Sequence, residues 1–491
     1  MLFNSPQFLI FFPIVTVLFF ALPHRFRWAL LLVASCIFYM AFIPIYILIL
    51  FFTIIIDYIA GIFIEQNQGK RRRLFLIISI ISNVGILAFF KYYNFFQANY
   101  AGLARFLHWN YGIPALSIIL PIGLSFHTFQ AMSYTIEVYR GNHRAERHLG
   151  IFALYVMFYP QLVAGPIERP QNMLHQFYKN QEFNYERVKN GLLLMAWGLF
   201  KKVVVADRLA LFVNYVYRRP TDFQGVPLII ATVMFSFQIF CDFSGYSDIA
   251  IGSAQVMGFK LTQNFKRPYF SKSIDEFWRR WHISLSSWFR DYLYISLGGN
   301  RVAKWRWYLN LFIVFLVSGL WHGASWTFVV WGGIHGTFII VSRLTTDIRK
   351  KLENILKLDR LPRLNAFKKI VMTFFLVNVA WIFFRANSIS DAFYIVTHLF
   401  SGFGNLAANV TNHKMLRANI TLGQDRWQFL LAISGIALME SIHVLQSRGI
   451  GFLQVLSRQP IWLRWGLYYT IILVFLFART SSSQSFIYFQ F

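Results

Sequence analysis

Apolar runs near the length that crosses a bilayer recur from one end of the chain to the other, separated by short links dominated by arginine and lysine. The first run, Phe8 to Ala21, ends at Pro23-His24-Arg25-Phe26-Arg27. Its leading residues lack a basic n-region and a small-residue cleavage site, so it is read as a first span and not as a removed signal. The stretch from Trp28 to Ile64 is too long for one helix across a hydrocarbon layer of about 30 Å, and Pro44 predicts a split into two. Gly69-Lys70-Arg71-Arg72-Arg73 marks a cytoplasmic link, and counting back from it puts the N-terminus outside and Arg25 and Arg27 inside. Leu74 to Phe90 leads out to an aromatic segment that reaches Asn110 at the outer interface. Pro114 to Tyr139 returns and delivers Arg140, Arg144 and Arg147 to the cytoplasmic side.

Ile151 to Pro166 is apolar but short, and Pro160, Gly165, Pro166 and Pro170 predict a broken or re-entrant element shielded by protein. Spans follow near Gly191 to Ala206 and Val226 to Met257. The region from Lys260 to Arg306 carries ten lysines and arginines and is placed inside. About five further crossings follow, with basic links at Arg343 to Lys369 and Arg448 to Arg464 inside and the polar segment Asn387 to Arg426 outside. The pattern predicts an all-α polytopic membrane protein of about twelve transmembrane or re-entrant helices, both ends outside. It forms one membrane-embedded domain: scaffold helices in 1–119, core motifs in 120–342 and closing helices in 367–491.

Composition agrees. Hydrophobic residues make up 57% of the 491, charged residues 14%, and the mean hydropathy is +0.48, which excludes a soluble multidomain chain. A net charge of +27 would suggest nucleic acid in a soluble protein. Here the basic residues sit in the links, facing lipid headgroups, so no nucleic acid partner is expected. Cys36 and Cys241 both lie in apolar runs, which gives no disulfide framework and no zinc pattern. The absence of an internal repeat argues against a transporter built from inverted halves.

The candidate chemistry gathers between Glu276 and Gly336, which holds His282, His322 and His335. Phe277, Trp281, Leu285, Trp288 and Tyr292 recur at helical spacing, predicting an amphipathic helix in the inner interface, with His282 one position past its apolar stripe and able to face a cavity. His322 follows the apolar run Tyr308 to Leu320 and is flanked by Gly319, Gly323 and Ala324. An ionisable side chain at membrane depth among small residues is a functional candidate. His335 lies thirteen positions later, well round the axis if one helix continued, and Gly332 and Gly336 suit close helix packing; it is expected to be a satisfied interior residue. No metal is expected, because neither an H-E-x-x-H nor a clustered carboxylate pattern occurs. Asp242 and Asp248 need partners inside their apolar run, either bonding a broken helix or acting directly. The segments 120–130, containing His127, and 161–169 combine Pro, Gly and polar groups as a wet cavity lining would, with His127 structural.

Together these segments resemble the membrane-bound O-acyltransferase family, nearest its bacterial polysaccharide-acetylating branch. The resemblance rests on LPIGLSFHTFQAMSYTIEVYRG (120–141), FYPQLVAGPIER (158–169), GLFKKVVVADRLA (198–210) and CDFSGYSDIAIG (241–252). It continues through NFKRPY (264–269), EFWRRWHISLSSWFRDYLYISLGGNR (276–301), LWHGASWTFVVWGGIHG (320–336), WIFFRA (381–386) and FIYFQF (486–491). It implies a helical ring around a central acyl-transfer tunnel, open to the cytosol for the donor and to the outside for the acceptor. It implies that His322, in WHG, matches the catalytic histidine and that His282, in WHISLS, matches the second active-site position; His335 receives no role.

The implied protein is a multi-pass acetyltransferase of a bacterial cytoplasmic (inner) membrane, surrounded by membrane lipid. No cofactor is tightly bound and no cofactor-binding residue is assigned; acetyl-CoA or another acyl thioester, on coenzyme A or an acyl carrier protein, is the donor substrate. The acceptor is a hydroxyl of an extracytoplasmic polysaccharide, reached with an external partner acetyltransferase. The runners-up are transfer of D-alanyl or another short acyl group to a cell-envelope polymer, and a non-enzymatic transporter for a lipid-linked sugar.

Overall fold

The computed structural model describes residues 1–117, 119–402, 419–450, 459–466, 469 and 486–487. Among them every regular element is helical. The last predicted crossing and most of the FIYFQF segment lie outside the described residues, as do much of the outer polar segment and of the inner link after Arg448. Six helices among the described residues are long and apolar enough to cross a membrane: Pro44–Gln66, Gly69–Phe106, Val226–Met257, Trp326–Leu344, Pro362–Arg385 and Arg426–Ser447. Pro6–Ala21 is a shorter apolar helix. In Gly69–Phe106 only 17% of the most apolar window is buried, so most of its side chains are left to lipid.

The chain forms two compact units, 1–196 with 246–263, and 197–245 with 264–491. In the first, Pro44 splits the long apolar stretch as predicted: His24–Met40 ends, a single 3₁₀ turn Pro44–Tyr46 follows, and Ile47–Gln66 begins. The helices Ile47–Gln66, Gly69–Leu87 and Leu124–Arg140 meet around Asp57, which is fully buried. Its carboxylate accepts from Ser79 Oγ at 2.6 Å and from Asn83 Nδ2 at 2.9 and 3.0 Å, and Ser79 is 2.9 Å from Thr135 Oγ1. A carboxyl group at this depth is tolerable only with such partners.

Two expectations change here. The helix expected from Pro114 starts ten residues later, at Leu124, after Pro121 and a left-handed Gly123 (φ +78°). The non-helical stretch before it is served by side chains of the preceding helix: Asn94 Nδ2 donates to Leu116 O at 2.8 Å, Asn94 Oδ1 accepts from Leu116 N at 2.9 Å, and Gln97 Nε2 donates to Ile113 O at 3.0 Å. Those partners let the backbone leave the helix without stranded polar groups. The second change concerns 151–166. Its helix breaks as expected, into Leu149–Met157 and Tyr159–Leu162, but its polar groups serve the break itself. Gln130 Nε2 and Gln161 Nε2 both donate to Tyr155 O, at 2.5 and 2.8 Å, so two of the polar side chains of these segments repair the backbone at the break.

In the second unit, helices Lys304–His322 and Trp326–Leu344 form a tight antiparallel hairpin. Glycines set the approach: a Cβ on Gly319 would lie 2.3 Å from Phe328 O, and one on Gly332 would lie 2.3 Å from Phe315 O. The predicted close packing through Gly332 and Gly336 is present, with Gly336 against Phe312. An aromatic core seats the hairpin. Trp331 stacks on Trp381 at 5.8 Å, and Trp381 lies 5.0 Å from Trp281.

Candidate functional site

His322 closes its helix as the last residue, 3% exposed. Nineteen residues at about 1.5 Å each give the Lys304–His322 helix a length near the hydrocarbon thickness, so His322 sits at the far end from Lys304. Its Nδ1 is 2.6 Å from Ser318 O, one turn back. A carbonyl only accepts, so Nδ1 carries the proton and Nε2 is the basic nitrogen of the neutral ring. Trp321, Trp331 and Phe384 hold the imidazole edge-on, with ring centroids 4.9, 4.8 and 5.6 Å away. The turn that follows demands glycine for space: a Cβ on Gly323 would lie 2.1 Å from the Phe328 ring.

His282 departs from the expected helix. The segment from Glu276 is not one amphipathic helix: Ile274–Arg280 ends, and Ile283–Trp288 starts afresh and passes into a π turn, Phe289–Tyr294. His282 occupies the break with φ 43° and ψ 57°, the left-handed region, and is fully buried, neither on a stripe border nor on a surface. Left-handed backbone at a non-glycine residue costs on the order of 1–3 kcal/mol and persists where surrounding contacts over-determine it. Those contacts come from Asn264, also fully buried. Its backbone O accepts from Ile283 N at 2.9 Å, and its Oδ1 accepts from Ser284 N and Oγ at 3.2 and 3.0 Å. Phe243 (4.6 Å), Phe265 (6.4 Å) and Trp321 (6.1 Å) surround the imidazole.

The indole of Trp321 thus contacts both histidines, 6.1 Å from His282 and 4.9 Å from His322. Positive-inside counting puts His282 toward the cytoplasmic side and His322 toward the outer end of its span; the fold brings both to one indole. His335 belongs to the same aromatic nest but faces elsewhere. Its helix is not a continuation of the His322 helix, since residues 323–325 turn the chain back. Trp331 separates the two rings, 4.8 Å from His322 and 5.1 Å from His335. His335 Nδ1 accepts from Trp278 Nε1 at 3.3 Å, while its buried Nε2 has no hydrogen-bond partner among the described residues, so it is a packed interior residue only half satisfied. His127 is 2% exposed in the first unit, with neither ring nitrogen hydrogen-bonded among the described residues.

Asp242 and Asp248 do not bond a broken helix, since Val226–Met257 runs through both. Asp242 instead pairs with Lys202, whose Nζ is 2.7 Å from Asp242 Oδ1 and 2.8 Å from Asp207 Oδ1, all three buried. Asp248 is half-buried. Lys202 and Asp207 lie within and just after a π turn, Phe200–Ala206, whose wider spacing brings residues five apart together; Asp207 N bonds Lys202 O. Asn264, Ser318 and the Lys202–Asp207 partners of Asp242 are what a residue-by-residue reading misses. Two adjacent lysines inside an apolar run, Lys201 and Lys202, were the visible signal for the cluster. Nothing local marks Asn264.

Chemically, the arrangement offers a neutral imidazole with its basic nitrogen set by tautomer, a second imidazole beside it, and an aromatic wall that excludes water. Such a site suits proton abstraction from a hydroxyl and stabilisation of a developing oxyanion. Among the described residues no three of His, Cys, Asp and Glu gather as a metal ligand set.

Comparison with known proteins gives the family. The profile of MBOAT, the membrane-bound O-acyltransferase family, matches residues 96–380. A peptidoglycan O-acetyltransferase of Helicobacter pylori is 34% identical, covering 100% of this chain and 98% of that protein. A probable alginate O-acetylase of Pseudomonas aeruginosa is 37% identical, covering 86% of this chain and 78% of that protein. A teichoic acid D-alanyltransferase of Streptococcus thermophilus is 30% identical over 46% of this chain and 57% of that protein. With a profile match over more than half its length and a relative alignable end to end, the chain belongs to the membrane-bound O-acyltransferase family and is a multi-pass membrane acyltransferase.

Proposed function

We propose that this enzyme moves an acetyl group from a cytosolic thioester, acetyl-CoA or an acyl carrier protein, to hydroxyls of an extracytoplasmic polysaccharide across a bacterial cytoplasmic membrane. His322 Nε2 is the general base that takes the proton of the attacking hydroxyl. His282 orients the donor carbonyl or donates a hydrogen bond to its oxygen as charge develops. The observation that carries this reading is the pair of buried histidines on one tryptophan, with His322 Nδ1 committed to Ser318 O and Nε2 thereby the basic nitrogen.

The acetyl group is favoured over D-alanyl because the relatives that align over most of the chain are named for O-acetylation of peptidoglycan and alginate, whereas the D-alanyltransferase aligns over less than half. Both named polymers present sugar hydroxyls, which fits a polysaccharide acceptor. Family membership displaces the transporter reading. The positively charged region from Lys260 to Arg306, placed in the cytosol by the positive-inside rule, suits the phosphates of coenzyme A or an acidic carrier. A partner acetyltransferase outside the membrane completes the transfer in this scheme.

The test is reconstitution in vesicles with labelled acetyl-CoA on the cytoplasmic face and polysaccharide on the other. Ester-linked label on the polysaccharide, with or without an added external acetyltransferase, supports the reading. Transfer only from a D-alanyl carrier, or none from any thioester with the protein folded and inserted, refutes the acetyl assignment.

A further inference from the structure

The buried charge cluster of the second unit has a second contact that reaches toward His282. Lys202 holds Asp242 Oδ1 at 2.7 Å, while the other carboxylate oxygen, Oδ2, accepts from the backbone N–H of Ile487 at 2.7 Å, 245 positions along the chain. Ile487 and its neighbour Phe486 are each only 2% exposed. The Phe486 ring meets Phe243 at 5.9 Å, and Phe243 meets His282 edge-on at 4.6 Å. Asp242 and Phe243 are consecutive on one helix, so the anchor of this distant segment and the ring it braces share a rigid element.

The coupling runs both ways. A buried carboxylate is tolerable when each oxygen has a donor, and Oδ2 receives the Ile487 N–H. In return, a charge-assisted bond in a low-dielectric interior fixes where that backbone lies. Lys202, bonded also to Asp207 at 2.8 Å, keeps Asp242 from rotating away.

We propose that Asp242, oriented by Lys202, is a positioning residue for the acyl-transfer site: it pins the Phe486–Ile487 segment against Phe243 and thereby fixes the His282 ring. This rests on the reading of His282 as part of that site. The experiment uses the full chain in detergent or vesicles, with two readouts. The first is maleimide labelling of an Ile487→Cys reporter, read at that peptide by mass spectrometry. The reporter is protected in the parent, and adding Asp242→Ala raises its labelling rate by at least about tenfold, as expected for loss of a buried anchor.

The second is turnover. Ile487→Pro deletes the donated N–H, together with the isoleucine side chain and the freedom of φ, and leaves the lysine–aspartate cluster whole; it lowers kcat at least about tenfold with KM within about twofold, whereas Ile487→Val, which keeps the N–H and most of the side chain, stays near the parent. Unchanged labelling in the Asp242→Ala reporter overturns the anchor, and equal kcat for the proline and valine variants overturns its link to the site. Should Asp242→Ala not fold, the proline variant decides by itself. Should the parent transfer no acetyl group, the function fails while the labelling result still decides the anchor.

Discussion

Asn264→Ala isolates the support of His282 from His282 itself. The substitution removes the Oδ1 that accepts from Ser284 N and Ser284 Oγ at 3.2 and 3.0 Å, and it leaves the backbone bond from Ile283 N in place. Ser284 is 3% exposed, so its two donors lose a partner away from bulk water. Each such loss costs about 1–3 kcal/mol. Part of this is recovered as the backbone at His282 relaxes from its left-handed conformation, which stores a comparable amount. The net loss of stability is about 2 kcal/mol; as the relaxation turns the imidazole away from Trp321, a similar loss made only in the transition state corresponds to about thirtyfold in kcat. The assay is acyl transfer under saturating donor with the melting temperature measured in parallel. Asn264→Ala should lose turnover by roughly this factor while KM for the donor changes little. Turnover within about twofold of the parent would refute the claim that Asn264 sets the geometry of His282.

Three further outcomes are expected. Lys202→Met leaves Asp207 and Asp242 buried without their cation and should destabilise the protein by about 3–5 kcal/mol, read as a lowered unfolding midpoint in detergent and partly restored by adding Asp207→Asn. Gly323→Ala is a steric test, since its extended backbone (φ −164°) suits any residue but its new methyl would meet the Phe328 ring at 2.1 Å; it should cost about 1–3 kcal/mol and most of the turnover, because Phe328 packs on Phe384 and Phe384 on His322. His335→Asn keeps an acceptor for Trp278 Nε1 and should retain acyl transfer within about threefold of the parent.

The helical membrane class was legible because hydropathy and the placement of arginine and lysine report it directly, and Pro44 located a helix junction correctly. What stayed hidden has one physical cause: contacts far apart in sequence leave no periodic mark. Phe277, Trp281, Leu285 and Trp288 keep helical spacing across a backbone break, since all four are buried, Phe277 and Trp281 in the aromatic core, and periodicity counts buried positions, not continuity. The turn after His322 was likewise invisible to the argument that set His335 round the same axis; Gly323 and Ala324 were read as small residues around a histidine at membrane depth, and with Ser325 they also reverse the chain. Asn264, Ser318 and the Ile487 N–H act through hydrogen bonds whose partners a one-dimensional reading does not pair.

The central claim is that His322 is the base of the reaction, and the most direct measurement is the rate at which His322→Ala moves label from acetyl-CoA to the polysaccharide in vesicles. His282→Ala and the His335→Asn control are run beside it on protein of matched amount and insertion. The account predicts no detectable transfer by His322→Ala, a severe loss for His282→Ala and near-parent rates for His335→Asn. Sustained turnover by His322→Ala in correctly inserted protein would contradict it.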